Sequence, residues 1–375
     1  MSSMTRTRAD AAPQGEVAPS SVRSPVPGTR RAHPDTVATV VATRTSGDRR
    51  RRVVLGALCL AVVVLLGVTL MVGHTFYSPS EVLGVILGQD VGGASFTVGR
   101  LRLPRAGMAL VTGLAFGMGG VTFQTMLRNP LASPDIIGIS SGASAAAMVA
   151  IVVLGLSGPS LSLFAILAGL GVALAVYLLA YRGGVAGTRL ILVGIGIAAM
   201  LDSVISYLLD KAPDWDLQEA MRWLTGSLNG ASWDQVLPVL VALLLLGPVL
   251  LGQAKNLDML QLGDQAAGAL GVRVERTRLV AICAAVVLIA FATAAAGPIA
   301  FVAFLSGPIA ARLVGPGRSL LVPAALVGAL LVLAGDLAGQ WLFGTRFPVG
   351  VVTGAAGAPY LIYLIARTNR TGGAL

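Results

Sequence analysis

The sequence predicts an all-α polytopic membrane protein with about ten transmembrane helices. Its 375 residues are 55% hydrophobic and only 12% charged, and the mean hydropathy is +0.82. A soluble domain carries about 25% charged residues, so this chain has too little charge to cover a globule. Several apolar runs reach the roughly twenty residues that an α-helix needs to cross a bilayer.

Ten apolar segments are candidate spans. In chain order they are residues 53–73, 106–127, 137–155, 160–181, 189–209, 234–252, 278–296, 299–313, 319–343 and 349–366. We therefore treat residues 53–367 as one transmembrane domain. The eighth segment is short for a crossing and follows Gly297-Pro298, so a broken or tilted helix is expected there.

Positive charge is concentrated before the first span. Ten of the 27 Lys and Arg residues lie in residues 1–52, and Arg49–Arg52 directly precede the apolar segment. The positive-inside rule places charge at such positions, so the net charge of +10 indicates orientation and not nucleic-acid binding. The N-terminus is predicted to be cytoplasmic. After ten crossings, residues 368–375 form a short cytoplasmic C-terminal tail.

Residues 1–52 are predicted to be a disordered basic cytoplasmic tail. They are rich in Pro, Ser, Thr and Arg and show no apolar period. A cleaved signal peptide is the alternative. However, the apolar run 53–73 is longer than a typical signal core, and no A-x-A cleavage site follows it.

Two connections contain helix-capping signals. Ser78-Pro79-Ser80-Glu81 is a capping box with Pro at the first helical position, which predicts a short surface helix. The second span ends at Arg128-Asn129-Pro130, and Ser133-Pro134-Asp135 predicts the start of the third. Ser caps free N–H groups, Pro has the helical φ, and Asp favours the positive end of the helix dipole. These signals predict two membrane helices joined by a tight polar elbow.

The long connection 253–277 is divided by Gly263 and Gly271. It contains two short amphipathic segments, 256–262 and 264–270, and neither is long enough to span a membrane. Two small helices on a membrane face suit docking of another protein. A plain basic loop that closes a hairpin is the alternative.

Few polar groups are available for chemistry. His33 and His74 are isolated, and Cys59 and Cys283 each lie in an apolar run, where we expect small buried hydrophobes. No metal site, disulfide, cofactor or catalytic residue is therefore predicted, which argues against a membrane-embedded enzyme. The chain also lacks the P-loop motif G-x-x-x-x-G-K-[ST], so any ATP-driven work requires a partner.

Two carboxylates, Asp202 and Asp336, fall inside predicted spans. An ionised Asp at a helix centre costs about 2.5–3.5 kcal/mol on insertion scales, so each is expected to face a cavity, a partner or an interface. No intramembrane Lys, Arg or His is an obvious partner for either. Structural polar contacts are the favoured interpretation, and proton coupling in a secondary transporter is the alternative.

Several longer motifs in the sequence point to a known family of membrane proteins. They are RLPR at 102–105, G-x-x-x-Q-x-x-x-R-N-P-L-A-S-P-D at 120–135, L-G-D-x-x-A-x-x-L-G-V at 262–272, G-P-I-x-F-V at 297–302, and P-x-G-[VI]-x-T followed by G-A-P at 348–359. Together they resemble the FecCD family, the permeases of bacterial ATP-binding cassette (ABC) importers for iron–siderophores, haem and vitamin B12. The residues in this sequence are most similar to those of the enterobactin-type branch. Many members read P-H-x-x-R, whereas this chain has Pro308 and Arg312 without the His.

The resemblance implies a type II ABC importer permease fold in the bacterial cytoplasmic membrane. It implies ATPase subunits inside, a substrate-binding protein outside, and a second permease subunit that is either a copy or a sister chain, all surrounded by membrane lipids. The substrate would be a ferric siderophore of the catecholate or hydroxamate type. A proton-coupled secondary transporter of a small polar solute is the alternative.

The resemblance also implies roles for particular residues. Docking points for the binding protein would be Arg102, Arg105 and, with a weaker match, Arg346. For the first two, snorkelling anchors are the alternative interpretation. The ATPase-coupling residues would be Leu262, Gly263, Asp264, Ala267, Leu270 and Gly271. The pathway would be lined by Gln124, Ser140, Ser141 and Ser144.

Overall fold

A computed structural model describes residues 34–181, 187–315 and 319–370, and every element in these residues is a helix. In chain order the helices are α1 Pro34–Met71, α2 Pro79–Ile86, α3 Gly93–Phe96, α4 Leu103–Leu127, α5 Ile139–Met148, α6 Gly158–Ala180, α7 Gly187–Lys211, α8 Asp214–Leu224, α9 Trp233–Gly252, α10 Ala254–Leu260, α11 Asp264–Ala269, α12 Val274–Ala296, α13 Val302–Val314, α14 Leu321–Trp341 and α15 Val349–Arg370.

The first helix begins earlier than predicted. α1 begins at Pro34 and not at residue 53, which corrects the predicted disorder for residues 34–52. Pro is at the start of this helix, where its missing N–H does no harm, and arginine is a good helix former. Residues 34–46 belong to a small N-terminal unit, and the described residues from Gly47 onwards form the helical bundle. Residues 1–33 and the end of the C-terminal tail, 371–375, lie outside the described residues.

Among the described residues, eight helices are long and apolar enough to cross a membrane. Two shorter apolar helices, Ile139–Val153 and Val302–Val314, correspond to the third and eighth predicted spans. The prediction of about ten transmembrane helices is therefore confirmed. The short eighth helix was expected, and α13 has only 13 residues, or about 20 Å. The third span is also shorter than predicted, because its α-helix begins only at Ile139.

The predicted capping box is present. Ser78 N–H donates to the Glu81 carboxylate at 2.7 Å, and Glu81 N–H donates to Ser78 Oγ at 3.4 Å, so α2 begins as the sequence indicated. The elbow differs from its prediction. Ser133 caps only one 3₁₀ turn, Pro134–Ile137, and Gly138 in the left-handed region separates that turn from α5. A positive φ at this glycine breaks the continuous helix that the capping signal predicted.

The bundle is organised around α4, which packs against α9, α12, α13 and α14 and is mostly buried. Glycines on α4 allow these close approaches. A Cβ at Gly113 would lie 2.6 Å from the Cα of Ala329 in α14, and a Cβ at Gly120 would overlap the carbonyl group of Ala303 in α13. Small residues at such positions let helix backbones approach closely where no water drives association.

The α4–α14 contact gives a prediction about stability. Gly113→Ala should destabilise the chain by about 1–3 kcal/mol, because the added methyl group meets α14 backbone atoms. Gly67→Ala in α1 is the matched control, since a Cβ there has nothing within 4 Å and alanine gains about 1 kcal/mol of helix propensity. The thermal midpoint of the purified chain in detergent should fall for the first variant and not for the second. Equal midpoints would contradict the packing argument.

Candidate functional site

Two groups of charged residues lie at opposite ends of α4. At the end near α2, which we call the α2 end, Arg105 forms a bidentate ion pair with Asp336 of α14. Arg105 Nε donates to Asp336 Oδ2 at 2.9 Å, and Nη2 donates to Oδ1 at 2.7 Å. Asp336 is only 2% exposed, and Gln340 donates to the same carboxylate. Planar two-bond pairing of this kind is both strong and directional.

This ion pair corrects the expectation that Asp336 has no obvious basic partner. Asp336 has a basic partner, and sequence reasoning missed it because Arg105 is 231 residues away in the chain. Arg105 is also not a free surface arginine, since its Nη1 donates to Asn229 at 2.6 Å and its side chain is only 19% exposed. The sequence offered only a hint, because an unpaired charge in a span is costly and RLPR supplies a cation at the start of α4, but no local pattern joins the two residues.

Arg102 has a different role in the structure. Its guanidinium donates to the carbonyl oxygens of Leu70 and Met71 at 2.9 Å and to that of Thr75 at 2.7 Å. It also lies over the ring of Tyr77, 5.1 Å from the ring centroid. The side chain therefore supplies hydrogen-bond donors to the last carbonyls of α1, groups that a helix end leaves without partners.

Arg346 is the most exposed of the three predicted docking arginines. Its Nη2 lies 2.7 Å from Nε2 of His74, which in turn contacts the ring edge of Trp341. Arg346 and His74 are both exposed, so this contact lies on the surface of the α2 end.

At the other end of α4, which we call the α10 end, Arg128 joins the bundle to the connection 253–277. We call this connection the coupling segment after its predicted role. Arg128 Nε donates to the carbonyl oxygen of Leu260 at 2.7 Å, and its Nη2 pairs with the Asp264 carboxylate. Arg278 of α12 donates to the same oxygen of Asp264 at 2.8 Å. One carboxylate in α11 is thus held by arginines from two membrane helices. We call Arg128, Asp264 and Arg278 the Asp264 clamp.

The backbone at Arg128 is unusual. This residue follows α4 with φ of 51°, in the left-handed region, and Asn129 N–H donates to the Gln124 carbonyl oxygen. Glycine is the usual residue at such a helix end because a Cβ is disfavoured there. The turn directs the chain away from α4 while the guanidinium reaches α10 and α11.

The coupling segment itself forms two short helices, as predicted. Leu262 and Leu270 are 66% and 59% exposed, whereas Ala267 is fully buried against the bundle. Gly263 and Gly271 both have positive φ and end the two helical turns. Leu262 and Leu270 lie in the turns that follow the two short helices, and exposed apolar side chains there form a surface that suits another protein.

Burial raises the pKa of Asp258 in α10, and the charge of Arg51 near the start of the first span opposes this shift. Asp258 therefore connects the coupling segment electrostatically to the basic run before the first span.

The predicted pathway residues lie mostly between packed helices. Gln124 is 6% exposed and donates to the carbonyl oxygen of Phe304 in α13 at 2.8 Å. Ser140 and Ser144 are 8% and 5% exposed, and Ser140 donates to Asp135. Ser141 is half-buried. Within this chain, these side chains do not line an open surface.

The exposed polar face in the membrane region is instead on α7. Only 11% of the most apolar part of this helix is buried within the chain. Its exposed face carries Asp202, Ser203, Ser206, Gly196 and Ala199. The spacing of three to four residues places these small and polar groups on one side of the helix. Sequence reasoning singled out Asp202 but did not assign it to the pathway.

The described residues contain no group of His, Cys, Asp and Glu side chains that could hold a metal ion. Cys59 and Cys283 are free and exposed on the bundle surface, which corrects the expectation that they are buried.

Known proteins similar to this chain are permeases of iron-uptake systems. The ferric enterobactin transport system permease protein FepG of Escherichia coli (strain K12) is 41% identical over 325 residues, which cover 86% of this chain and 98% of that protein. The iron(3+)-hydroxamate import system permease protein FhuG of Bacillus subtilis (strain 168) is 35% identical over 327 residues, which cover 84% and 97%. The achromobactin transport system permease protein CbrC of Dickeya dadantii (strain 3937) is 40% identical over 319 residues, which cover 83% and 91%.

A solved structure of an inward-facing metal-chelate type ABC transporter has the same fold. Its chain matches with a TM-score of 0.75 and 29% sequence identity, over 84% of this chain and 98% of that one. This agreement confirms the type II ABC importer permease fold that the motifs implied. The model of the FecCD transport family matches residues 59–367. The described residues contain eight apolar helices long enough to span a membrane and two shorter ones, and the family model matches most of the chain. The chain is therefore a multi-pass inner membrane protein that belongs to the FecCD transport family.

Proposed function

We propose that this chain is the non-catalytic permease subunit of an ABC importer that carries a ferric siderophore of the catecholate or hydroxamate type. The family match over residues 59–367 carries this proposal. The substrate class is supported by relatives named for ferric enterobactin and for iron(3+)-hydroxamate import. Affinity for the chelate resides mainly in a separate binding protein, and the permease is the conduit.

A partner ATPase supplies the energy in this proposal. The sequence has no P-loop motif, and the exposed leucines of the coupling segment offer a docking surface at the α10 end. The Asp264 clamp supports transmission of movement, because it bonds this segment to the ends of both α4 and α12. With Arg49–Arg52 in the cytoplasm, both termini and the α10 end face the ATPase.

A second permease subunit covers the exposed face of α7. A carboxylate such as Asp202 is costly against lipid, whereas a water-filled pathway between two subunits would solvate it. The small residues Gly196 and Ala199 on the same face leave room for a wide substrate. We therefore place the pathway along this face, and either a copy of this chain or a sister chain completes it.

A binding protein docks at the α2 end. Arg346 and Arg100 are exposed there, and Arg102 and Arg105 add positive charge while also holding the bundle together. Acidic patches on a partner would be attracted to this surface.

The first prediction about function tests the energy source. We expect proteoliposomes that contain this chain, its ATPase and its binding protein to import a ferric catecholate or hydroxamate only when ATP is enclosed. Replacing the P-loop lysine of the ATPase is the matched control and should abolish uptake. Uptake driven by a proton gradient without ATP would contradict the proposal and favour the secondary transporter.

The second prediction concerns the Asp264 clamp. Asp264→Asn removes charge-assisted hydrogen bonds that are worth about 1.5–3 kcal/mol each, and partial solvent exposure reduces that figure. We expect coupled uptake to fall about fivefold to tenfold. Glu275→Gln is the control, an exposed carboxylate at the start of α12. A double-mutant cycle between Arg128→Ala and Asp264→Ala should be non-additive. Additive losses would show that the two residues act separately.

The third prediction separates docking from folding at the α2 end. Arg346→Glu should weaken binding-protein association about threefold to tenfold, mainly through a slower association rate, and leave the thermal midpoint unchanged. Arg105→Leu should lower the thermal midpoint, because breaking a buried pair costs about 3–5 kcal/mol. Arg189→Glu on α7 is the control for added negative charge. Unchanged binding in Arg346→Glu would remove this arginine from the docking surface.

A further inference from the structure

Two further arginines, Arg50 and Arg312, lie at the C-terminal end of α13. Arg50 of α1 donates through Nε to the carbonyl oxygen of Leu313 and through Nη2 to that of Arg312, both at 3.2 Å. Arg50 therefore caps α13, where free carbonyls and the negative end of the dipole favour a cation. Residue 50 lies before residue 59, where the family match begins, so the family match does not include this contact.

The side chain of Arg312 lies against two tyrosines of α15. Its guanidinium carbon is 5.5 Å from the ring centroid of Tyr360 and 5.2 Å from that of Tyr363, and its Nη1 donates to the Tyr360 hydroxyl at 3.1 Å. Contacts with aromatic faces orient a guanidinium without neutralising its charge. We call Arg50, Arg312, Tyr360 and Tyr363 the α13 arginine site.

The charge at this site is not balanced by a carboxylate. In the described ranges, no Asp or Glu forms an ion pair with Arg50 or Arg312. Arg50 uses two of its five N–H donors in the bonds above, and Arg312 uses one. The Arg50 guanidinium lies against the backbone of Arg312, and both guanidinium groups keep free donors. Such donors are suited to charge-assisted hydrogen bonds with a phosphate.

The surroundings place this site at the membrane boundary. Val53, one turn after Arg50, is 63% exposed and begins the apolar surface of the first span. Ile362, next to Tyr363, is 69% exposed. Tyrosines are enriched where a protein crosses the headgroup level, and basic groups between membrane helices on the cytoplasmic side bind anionic lipid headgroups. The exposed apolar side chains of Val53 and Ile362 beside the arginines favour a lipid over a soluble protein as the ligand.

We propose that the α13 arginine site binds the phosphate of an anionic phospholipid in the cytoplasmic leaflet. The two guanidinium groups hold the phosphate, the tyrosines fix the orientation of Arg312, and the acyl chains lie along the exposed apolar surfaces of α1 and α15. A bound lipid would then fill the space between the first and last spans. This inference does not depend on which substrate the chain transports or on the ATPase.

The test uses the full-length chain in detergent and measures lipid binding by native mass spectrometry. Phosphatidylglycerol should bind more tightly than phosphatidylcholine with the same acyl chains. The double variant Arg50→Gln/Arg312→Gln should lose roughly thirtyfold in affinity for phosphatidylglycerol. Arg189→Gln removes one positive charge from the same face of the membrane and should retain wild-type affinity. Undiminished binding by the double variant would overturn the proposal, as would an equal loss in Arg189→Gln.

Further variants separate a loss of lipid binding from a loss of folding. Arg50→Gln removes the cap of α13, so Arg312→Gln/Tyr363→Leu is tested in parallel, with Arg50 intact. Both variants should bind phosphatidylglycerol more weakly, and Arg312→Gln/Tyr363→Leu should do so at an unchanged thermal midpoint because the cap is intact. Arg312→Lys should recover part of the affinity. Unimpaired binding by Arg312→Gln/Tyr363→Leu would overturn the assignment.

Competition distinguishes the sources of phosphate. Inorganic phosphate and glycerol phosphate should not displace the lipid, since neither has acyl chains. Displacement by either would identify a site for a soluble anion. Displacement of the lipid by the ATPase subunit would identify a protein interface instead, and either result would overturn the lipid assignment.

Discussion

The close approach of α4 to α14 is the constraint on which the rest of this structure depends. In lipid, the surroundings of a helix are as apolar as its neighbours, so association depends on packing contacts and buried polar bonds. Glycine at position 113 lets the two backbones touch, and that contact brings Arg105 within reach of Asp336. A bulkier α4 would separate the ion pair and leave a charged carboxylate inside the bundle, which is far costlier than the lost packing alone.

The sequence predicted those features that depend on local chemistry. Hydropathy predicted the spans, and the capping box at Ser78 predicted α2. The two short amphipathic segments in the connection 253–277 predicted the two helices of the coupling segment. The side-chain partners could not be predicted, because Arg105, Gln124 and Arg128 each bond to residues more than a hundred positions away. The elbow was missed for a different reason: a capping signal shows where a helix can start and not how far it continues.

The two groups of charged residues at the ends of α4 make this helix a mechanical link. Its 25 residues span about 37 Å, and each end is fastened by an arginine to a carboxylate on another element. In the proposed function, these two contacts would connect a displacement of α10 and α11 with α14 at the opposite end.

Arg128 combines two requirements at one position that favour different residues. Its left-handed backbone would be relaxed by glycine, whereas its side chain is the one that connects α4 with α11. A sequence selected only for thermal robustness would accept the glycine and lose the connection. The position is therefore a compromise between a relaxed backbone and a side-chain connection, and a glycine introduced here for heat resistance would detach α11 from the end of α4.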